Sequence, residues 1–204
     1  MTLPAWTRRR WLAGTAALSV PAFGAETPLA ARARPLAAKS SCLDITLAGM
    51  RLVAVGERGH VLLSDDQGQQ WRQAQAVPTR ATLTAVHAVD ARTLWVVGHG
   101  GVVLHSIDAG ENWSLVTGAA EGKDVLLSIR VEADGRGLAV GGFGFALATR
   151  DGGASWKRTE LVAGEAGERH LNRIFTAGLS SGTWLIAAEG GHVLRSEDRG
   201  EKWL

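Results

Sequence analysis

Asp66, Asp108, Asp151 and Asp198 each stand third in the same pattern, Ser/Thr-x-Asp-x-Gly-x-x-Trp. A carboxylate that recurs like this has two uses. It can serve as an acid, base or nucleophile when a second carboxylate faces it across a cleft. It can also close a turn by accepting backbone N–H groups two or more residues on. Its neighbours favour the turn. Ser64, Ser106, Thr149 and Ser196 carry hydroxyls that can bond locally, Gly68, Gly110, Gly153 and Gly200 can take φ > 0, and Trp71, Trp113, Trp156 and Trp203 can cover the hairpin with apolar surface. These sixteen residues read as a structural framework, with no catalytic residue among them.

The remaining polar groups select no chemistry. Glu57, Asp90, Asp124, Glu132, Asp134 and Glu189 lie outside the pattern, and no spacing makes two of them a pair. Glu57 and Glu189 sit in matching loops of the first and fourth copies. The chain has no Tyr, so a Tyr-nucleophile sialidase mechanism is not open to it. His60 and His192 share a repeat position and His99 lies in the equivalent loop, while His99 and His105 lack the thiol or carboxylate that would complete a zinc site. No metal or cofactor is expected. Cys42 is the only cysteine and reads as a free thiol. No Ser occupies a nucleophile elbow. Arg51, Arg58, Arg80, Arg92, Arg130, Arg136, Arg169 and Arg173 are scattered, as expected of a solvated surface.

The elements that must position these residues are repeats. Twelve residues before each Trp stands a Gly, namely Gly59, Gly101, Gly144 and Gly191; Gly56, Gly98 and Gly141 precede the first three by three residues, and Ala188 takes that place in the fourth copy. The box aspartates are 42, 43 and 47 residues apart, the length of a four-stranded propeller blade. Inner strands are predicted to begin near Leu43, Leu83, Leu126 and Leu171. Second strands are predicted over residues 52–55, 94–97, 138–140 and 184–187, and third strands over 61–63, 102–104, 145–148 and 193–194. A short outer strand should carry each Trp. Apolar runs of this length bounded by Gly suit buried strands. The Gly-x-x-Gly segment precedes a strand, so it reads as a hairpin turn, since a phosphate loop requires a following helix.

The fold class predicted is all-β: a β-propeller of four-stranded blades over residues 43–204, divided near 43–78, 83–118, 125–162 and 170–204. Residues 26–42 read as a linker. Residues 1–25 contain Thr7-Arg8-Arg9-Arg10-Trp11-Leu12 followed by an Ala/Gly-rich run, which resembles a twin-arginine export signal with cleavage after Gly24 or Ala25, or at Ala33 as a further option. The expected location is the periplasm or the exterior, with the thylakoid lumen as the alternative. The net charge of +2 hides an asymmetry: the chain from Cys42 onward carries −3. A folded part with that balance gives no nucleic-acid footprint.

The repeats resemble Asp-box repeats of the bacterial neuraminidase type. The longer pattern, an apolar strand, Gly-x-x-Gly, Val/Phe-x-Leu and then the box, resembles the photosystem II stability/assembly factor family over roughly residues 43–204. That resemblance implies a non-catalytic scaffold that binds a protein partner, in a membrane or secreted complex, through residues it does not specify. It also implies seven blades where this sequence has four, so an incomplete seven-bladed ring, a truncated relative or a small ring is expected, with self-association through exposed blade flanks. The box alone is shared with sialidases and secreted glycosidases, which keeps a glycan-active enzyme or glycan-binding module as the alternative.

Overall fold

The computed structural model describes residues 30–118, 122–177 and 182–204; the export segment lies outside them. The described chain forms four antiparallel sheets in sequence order. The first holds β1 (Cys42–Ala48), β2 (Arg51–Gly56), β3 (Val61–Ser64) and β4 (Arg72–Gln73). The second holds β5 (Leu83–Ala88), β6 (Leu94–Gly98), β7 (Val103–Ser106) and β8 (Ser114–Thr117). The third holds β9 (Leu126–Val131), β10 (Gly137–Gly141), β11 (Ala146–Thr149) and β12 (Lys157–Arg158), and the fourth β13 (Leu171–Ala177), β14 (Thr183–Ala188) and β15 (Val193–Ser196). Each sheet is one blade, and the inner strands β1, β5, β9 and β13 lie side by side in order.

Three expectations need correction. The outer strand does not carry the Trp: in the first three blades it begins just after it, because the Trp is still part of the turn. The fourth blade has three strands, and the backbone of Leu204 exchanges two hydrogen bonds with Arg195, at 2.8 and 2.9 Å, where an outer strand would pair. The segment read as a linker is docked from Ala30 onward. Ala31 N donates to Val77 O at 2.9 Å, Arg34 N donates to Gln73 Oε1 at 2.6 Å, and a 3-10 turn over Ala37–Lys39 buries Ala37 against Ala54 and Leu62.

Side chains alternate between the two sides of each strand, and middle strands such as β3, β6 and β10 are buried on both, which gives each blade two apolar faces. Val53, Val55, Val61 and Leu63 of the first blade pack on Val86, Leu94, Val96, Leu104 and Trp113 of the second. The same positions build the next two interfaces, with Trp95, Val97 and Val103 meeting Ile129, Ala139 and Leu147, and Leu138, Val140 and Ala146 meeting Ile174, Trp184, Ile186 and Leu194. The first Gly of each loop is required by close approach. A Cβ on Gly141 would lie 1.8 Å from the carbonyl oxygen of Val125, and one on Gly56 2.0 Å from that of Ser41. The fourth blade accepts Ala188 there with its backbone at φ −120°, against −170° at Gly56.

The strands give the arc two ends. One carries the Gly-x-x-Gly loops, each tied to the start of its own inner strand: His99 N donates to Thr82 O, Gly142 N to Val125 O and Glu189 N to His170 O, at 2.8–2.9 Å. The other carries the box turns. In each, the hydroxyl donates to the aspartate and accepts from the box Gly N–H: Ser64 Oγ reaches Asp66 Oδ1 at 2.8 Å and Gly68 N reaches Ser64 Oγ at 2.8 Å. The aspartate also accepts the N–H of Gln70, Asn112, Ser155 or Lys202 at 2.9–3.0 Å. The box glycines all have φ of 84–89°. So, less expectedly, does the residue before each one lie in the left-handed region: Gln67, Ala109 and Arg199 at 59–60° and Gly152 at 69°.

Candidate partner-binding site

At the Gly-loop end of the third blade, Lys123, Asp124, Val125, Leu127, Phe143, Phe145, Arg158 and His170 surround a cavity of about 270 Å³. Its position follows from the fold. The loop Gly142–Gly144 projects Phe143 outward, β11 begins just after Phe145, the outer strand supplies Arg158, and the residue before β13 supplies His170. Phe145 is buried and forms the floor, with the Arg158 guanidinium 5.1 Å from its ring centroid. Phe143 is 77% exposed and held at φ +53°. A bulky side chain in the left-handed region is strained. The equivalent places in the other blades hold Arg58, Gly100 and Gly190. The Phe143 ring lies 4.6 Å from that of His170, and Gly144 N donates to Arg169 O at 2.9 Å, so the loop is pinned to the entry of the fourth blade. The buried Nε of Arg169 has no partner within the protein. Apolar walls with a few convergent polar groups are the usual lining of a ligand-binding cavity.

The candidates singled out in the sequence have other occupations. Glu57 Oε1 accepts the N–H of Ser41 at 3.4 Å and Glu189 Oε2 that of His170 at 3.3 Å, so the matching pair caps the entries to β1 and β13. Asp90 closes its turn by accepting Arg92 N and Thr93 N at 2.7 and 2.8 Å, and backbone hydrogen bonds hold its pKa below the ordinary carboxylate range. Asp134 pairs with Arg199 at 3.1 Å and Glu132 with Arg130 at 2.8 Å. Asp124 alone among them lines the cavity. His60 is buried and desolvation pushes its pKa down, whereas His192 and His99 are exposed. His105 stacks on Trp95 with centroids 4.0 Å apart. Among the described residues no three His, Cys, Asp or Glu side chains come together as a metal group. Cys42 is exposed, with desolvation of its sulfur raising its pKa. Arg51 is not merely solvated: with Arg72 it grips Asp65 and Glu111 at 2.5–2.8 Å, which ties the first blade to the second.

At the axis, Asp44 Oδ2 accepts the N–H of Val86 at 3.0 Å, and at the same position of the third blade Ser128 Oγ accepts that of Ile174 at 3.1 Å. Ala85 takes this place in the second blade, where the neighbouring Thr84 Oγ1 instead donates to Leu126 O at 2.5 Å, so each of the first three inner strands is fastened to the next. Arg173 holds this position in the fourth blade and pairs with Asp44 at 3.4 Å, linking the first and last inner strands. The cavity beside Phe143 was not legible as a site. Its one signal was the aromatic residue inside a loop that elsewhere holds Gly or Arg.

Repeated antiparallel sheets that pack face to face around a common axis define an arc of a β-propeller. Residues 32–121 match the model of the photosynthesis system II assembly factor YCF48 family, and the resemblance of the repeats to that family holds. A comparison with curated proteins finds no match. Among solved structures the chain is similar to YCF48 from Cyanidioschyzon merolae, at 19% identity and a TM-score of 0.61, covering 81% of this chain and 56% of that one. It is similar to YCF48 bound to D1 peptide, at 22% identity and a TM-score of 0.56, covering 79% and 50%. It is also similar to an ancestral GH74 enzyme, at 15% identity and a TM-score of 0.65, covering 80% and 24%. The chain therefore spans about half the length of the YCF48 structures and about a quarter of the enzyme, and these likenesses establish the propeller fold.

Proposed function

We propose that this chain is a non-catalytic, exported scaffold that holds a peptide segment of a partner protein, in a membrane or secreted complex, in the cavity beside Phe143. The observation that carries the reading is Phe143 itself: an exposed aromatic ring kept at a strained backbone angle over an apolar floor. Strain of this kind persists where the surroundings impose it, and aromatic anchors dominate peptide recognition. Support comes from the family match and from the similar fold of a YCF48 that is bound to a D1 peptide. A D1-derived peptide carrying a fluorophore is the probe. Its anisotropy should rise on titration with the chain, and Phe143→Gly, which relieves the left-handed strain, should weaken binding tenfold or more while leaving stability intact or raised. Unchanged affinity in the variant, or no binding by the unaltered chain, contradicts the assignment.

The GH74 likeness favours a second reading, a glycan-active propeller. Glycoside turnover by the purified chain that is abolished by changing Glu57 or Glu189 would establish it in place of the scaffold.

Export rests on Arg8, Arg9, Trp11 and Leu12. Replacing both Arg8 and Arg9 by Lys keeps the charge and should hold the precursor in the cytoplasm on cell fractionation; normal export of that variant removes the twin-arginine assignment.

A further inference from the structure

Residues 30–41 form a strap across the first blade, and the loop that carries His60 is bracketed by its two ends. At one end, a Cβ on Gly59 would lie 3.3 Å from that of Ala31, and Ala31 N donates to Val77 O at 2.9 Å. At the other, Glu57 N donates to Ser41 O at 3.2 Å, and Glu57 Oε1 accepts Ser41 N at 3.4 Å. Side chains of the blade hold the stretch near Ala31: Arg80 Nε donates to Ala30 O at 3.1 Å and Gln73 Nε2 to Arg32 O at 3.2 Å. The turn Ala37–Lys39 then covers Ala54 and Leu62, and Ala38 walls a cavity of about 380 Å³ that reaches Ile45 and Trp71.

His60 is 4% exposed, and among the described residues no other ionisable side chain is buried. Its Nδ1 has no partner, so a proton placed there would meet no acceptor. The same repeat position is apolar and buried in the next two blades, as Val102 and Phe145. The charged groups facing the ring are Glu57 and Arg58 of its own loop and Arg34 of the strap. Burial pushes the His60 pKa down, Glu57 opposes this, and Arg58 and Arg34 add to it.

We infer that His60 is an acid-sensitive latch: protonation of its ring releases the strap over residues 30–41 and bares the first-blade face at Ala54, Leu62 and the cavity beside Trp71. A charged imidazole demands water or a counter-charge. The strands beneath it are fixed by their ladders and by the second blade, whereas the strap is held by a few hydrogen bonds and one short turn, so the strap is what yields. Arg34, carried on the strap, is repelled by the new charge. The one anion near it, Glu57, is the carboxylate that now accepts Ser41 N, so pairing with His60 loosens the strap at that end too. The sign with pH follows from the lowered pKa. The strap is closed above the unfolded histidine value near 6.5 and loses stability as pH falls below it.

The inference concerns the first blade and stands apart from peptide binding at the third. Its test is amide hydrogen exchange of the full chain from about pH 7.5 to about pH 5.5, corrected for intrinsic rates, a window above the ordinary carboxylate range. Protection of the Ala31, Arg34, Lys39 and Ser40 amides should fall by up to about tenfold per pH unit below about 6.5, while the box turns keep theirs. His60→Val, which installs the residue of the second blade, should hold the strap closed across the window. His60→Gln, which keeps a polar side chain that cannot titrate, should also remove the pH response. Strap protection that does not change with pH in the unaltered chain overturns the inference. So does a loss that persists in both variants, which would assign the response to another group, or a loss spread over all four blades. His87 and His105, whose pKa values burial also lowers, lie on the second blade, and a response from them would appear there.

Discussion

Replacing Trp95 by Ala is expected to lower the unfolding free energy by about 3–5 kcal/mol, the range for removing a large buried aromatic side chain. Trp95 is 1% exposed and is the largest of the fully buried side chains among the described residues. It stands on β6 at the position that Val53 holds in the first blade, and its bulk is accommodated by the neighbouring blade. A Cβ on Gly153 would lie 2.0 Å from the indole, so the box turn of the third blade folds directly over the ring. His105 stacks beneath it, and Trp156 meets its edge with centroids 5.6 Å apart at 65°. This intrusion also accounts for the one irregular box. Trp71, Trp113 and Trp203 donate from Nε1 to their box Gly carbonyls at 2.8–3.1 Å, while the buried Nε1 of Trp156 has no partner. Urea unfolding followed by fluorescence measures the loss, and Trp95→Phe should restore part of it. A change under about 1 kcal/mol, the size expected of a surface position, would mean that the second and third blades are not joined through this side chain.

The second large effect is expected at Asp108. Burial pushes its pKa up, but hydrogen bonds from the backbone and side chain of Asn112 and from Ser106 together hold it below the ordinary carboxylate range. The distances are 3.0, 2.8 and 2.8 Å. Ser106 is buried, and its hydroxyl also accepts the N–H of Gly110 at 3.0 Å. Asp108→Ala removes the acceptor for that hydroxyl and should cost about 1–3 kcal/mol, the price of leaving a buried donor unpaired. The sign with pH follows from the lowered pKa. The contribution is present above the unfolded carboxylate value near 3.9 and is lost as pH falls through the folded value. The variant should therefore lose less stability than the unaltered chain on acidification below about pH 4. A variant with unaltered stability that has lost a catalytic turnover would show that Asp108 is a functional acid.

Most of the architecture could be read from spacing. The Gly pair and the box recur at fixed intervals, and each carries a local reason to be where it is: a close approach at Gly141, a left-handed turn at Gly110. Local chemistry of this kind is visible in a single sequence. What escaped reading depends on the packing of one blade against another. Nothing near Trp95 announces that it reaches into the turn at Gly153. The Arg51–Glu111 pair joins residues sixty positions apart. Residues 30–41 lack periodicity because, beyond the short turn at Ala37–Lys39, what holds them is contact with the first blade and the segment after it. The candidate site combines both cases. Phe143 was visible as an oddity in its loop, but His170 and Arg158 reach it only once the third and fourth blades are side by side.

The account turns on where the partner peptide sits. Amide hydrogen exchange of the full chain, with and without a saturating D1-derived peptide, tests this most directly. The account predicts slowed exchange in residues 122–127, 142–145 and 168–171, the segments around the Phe143 cavity, and unchanged exchange in the box turns. Protection confined to the box end, or no protection at saturation, would contradict it.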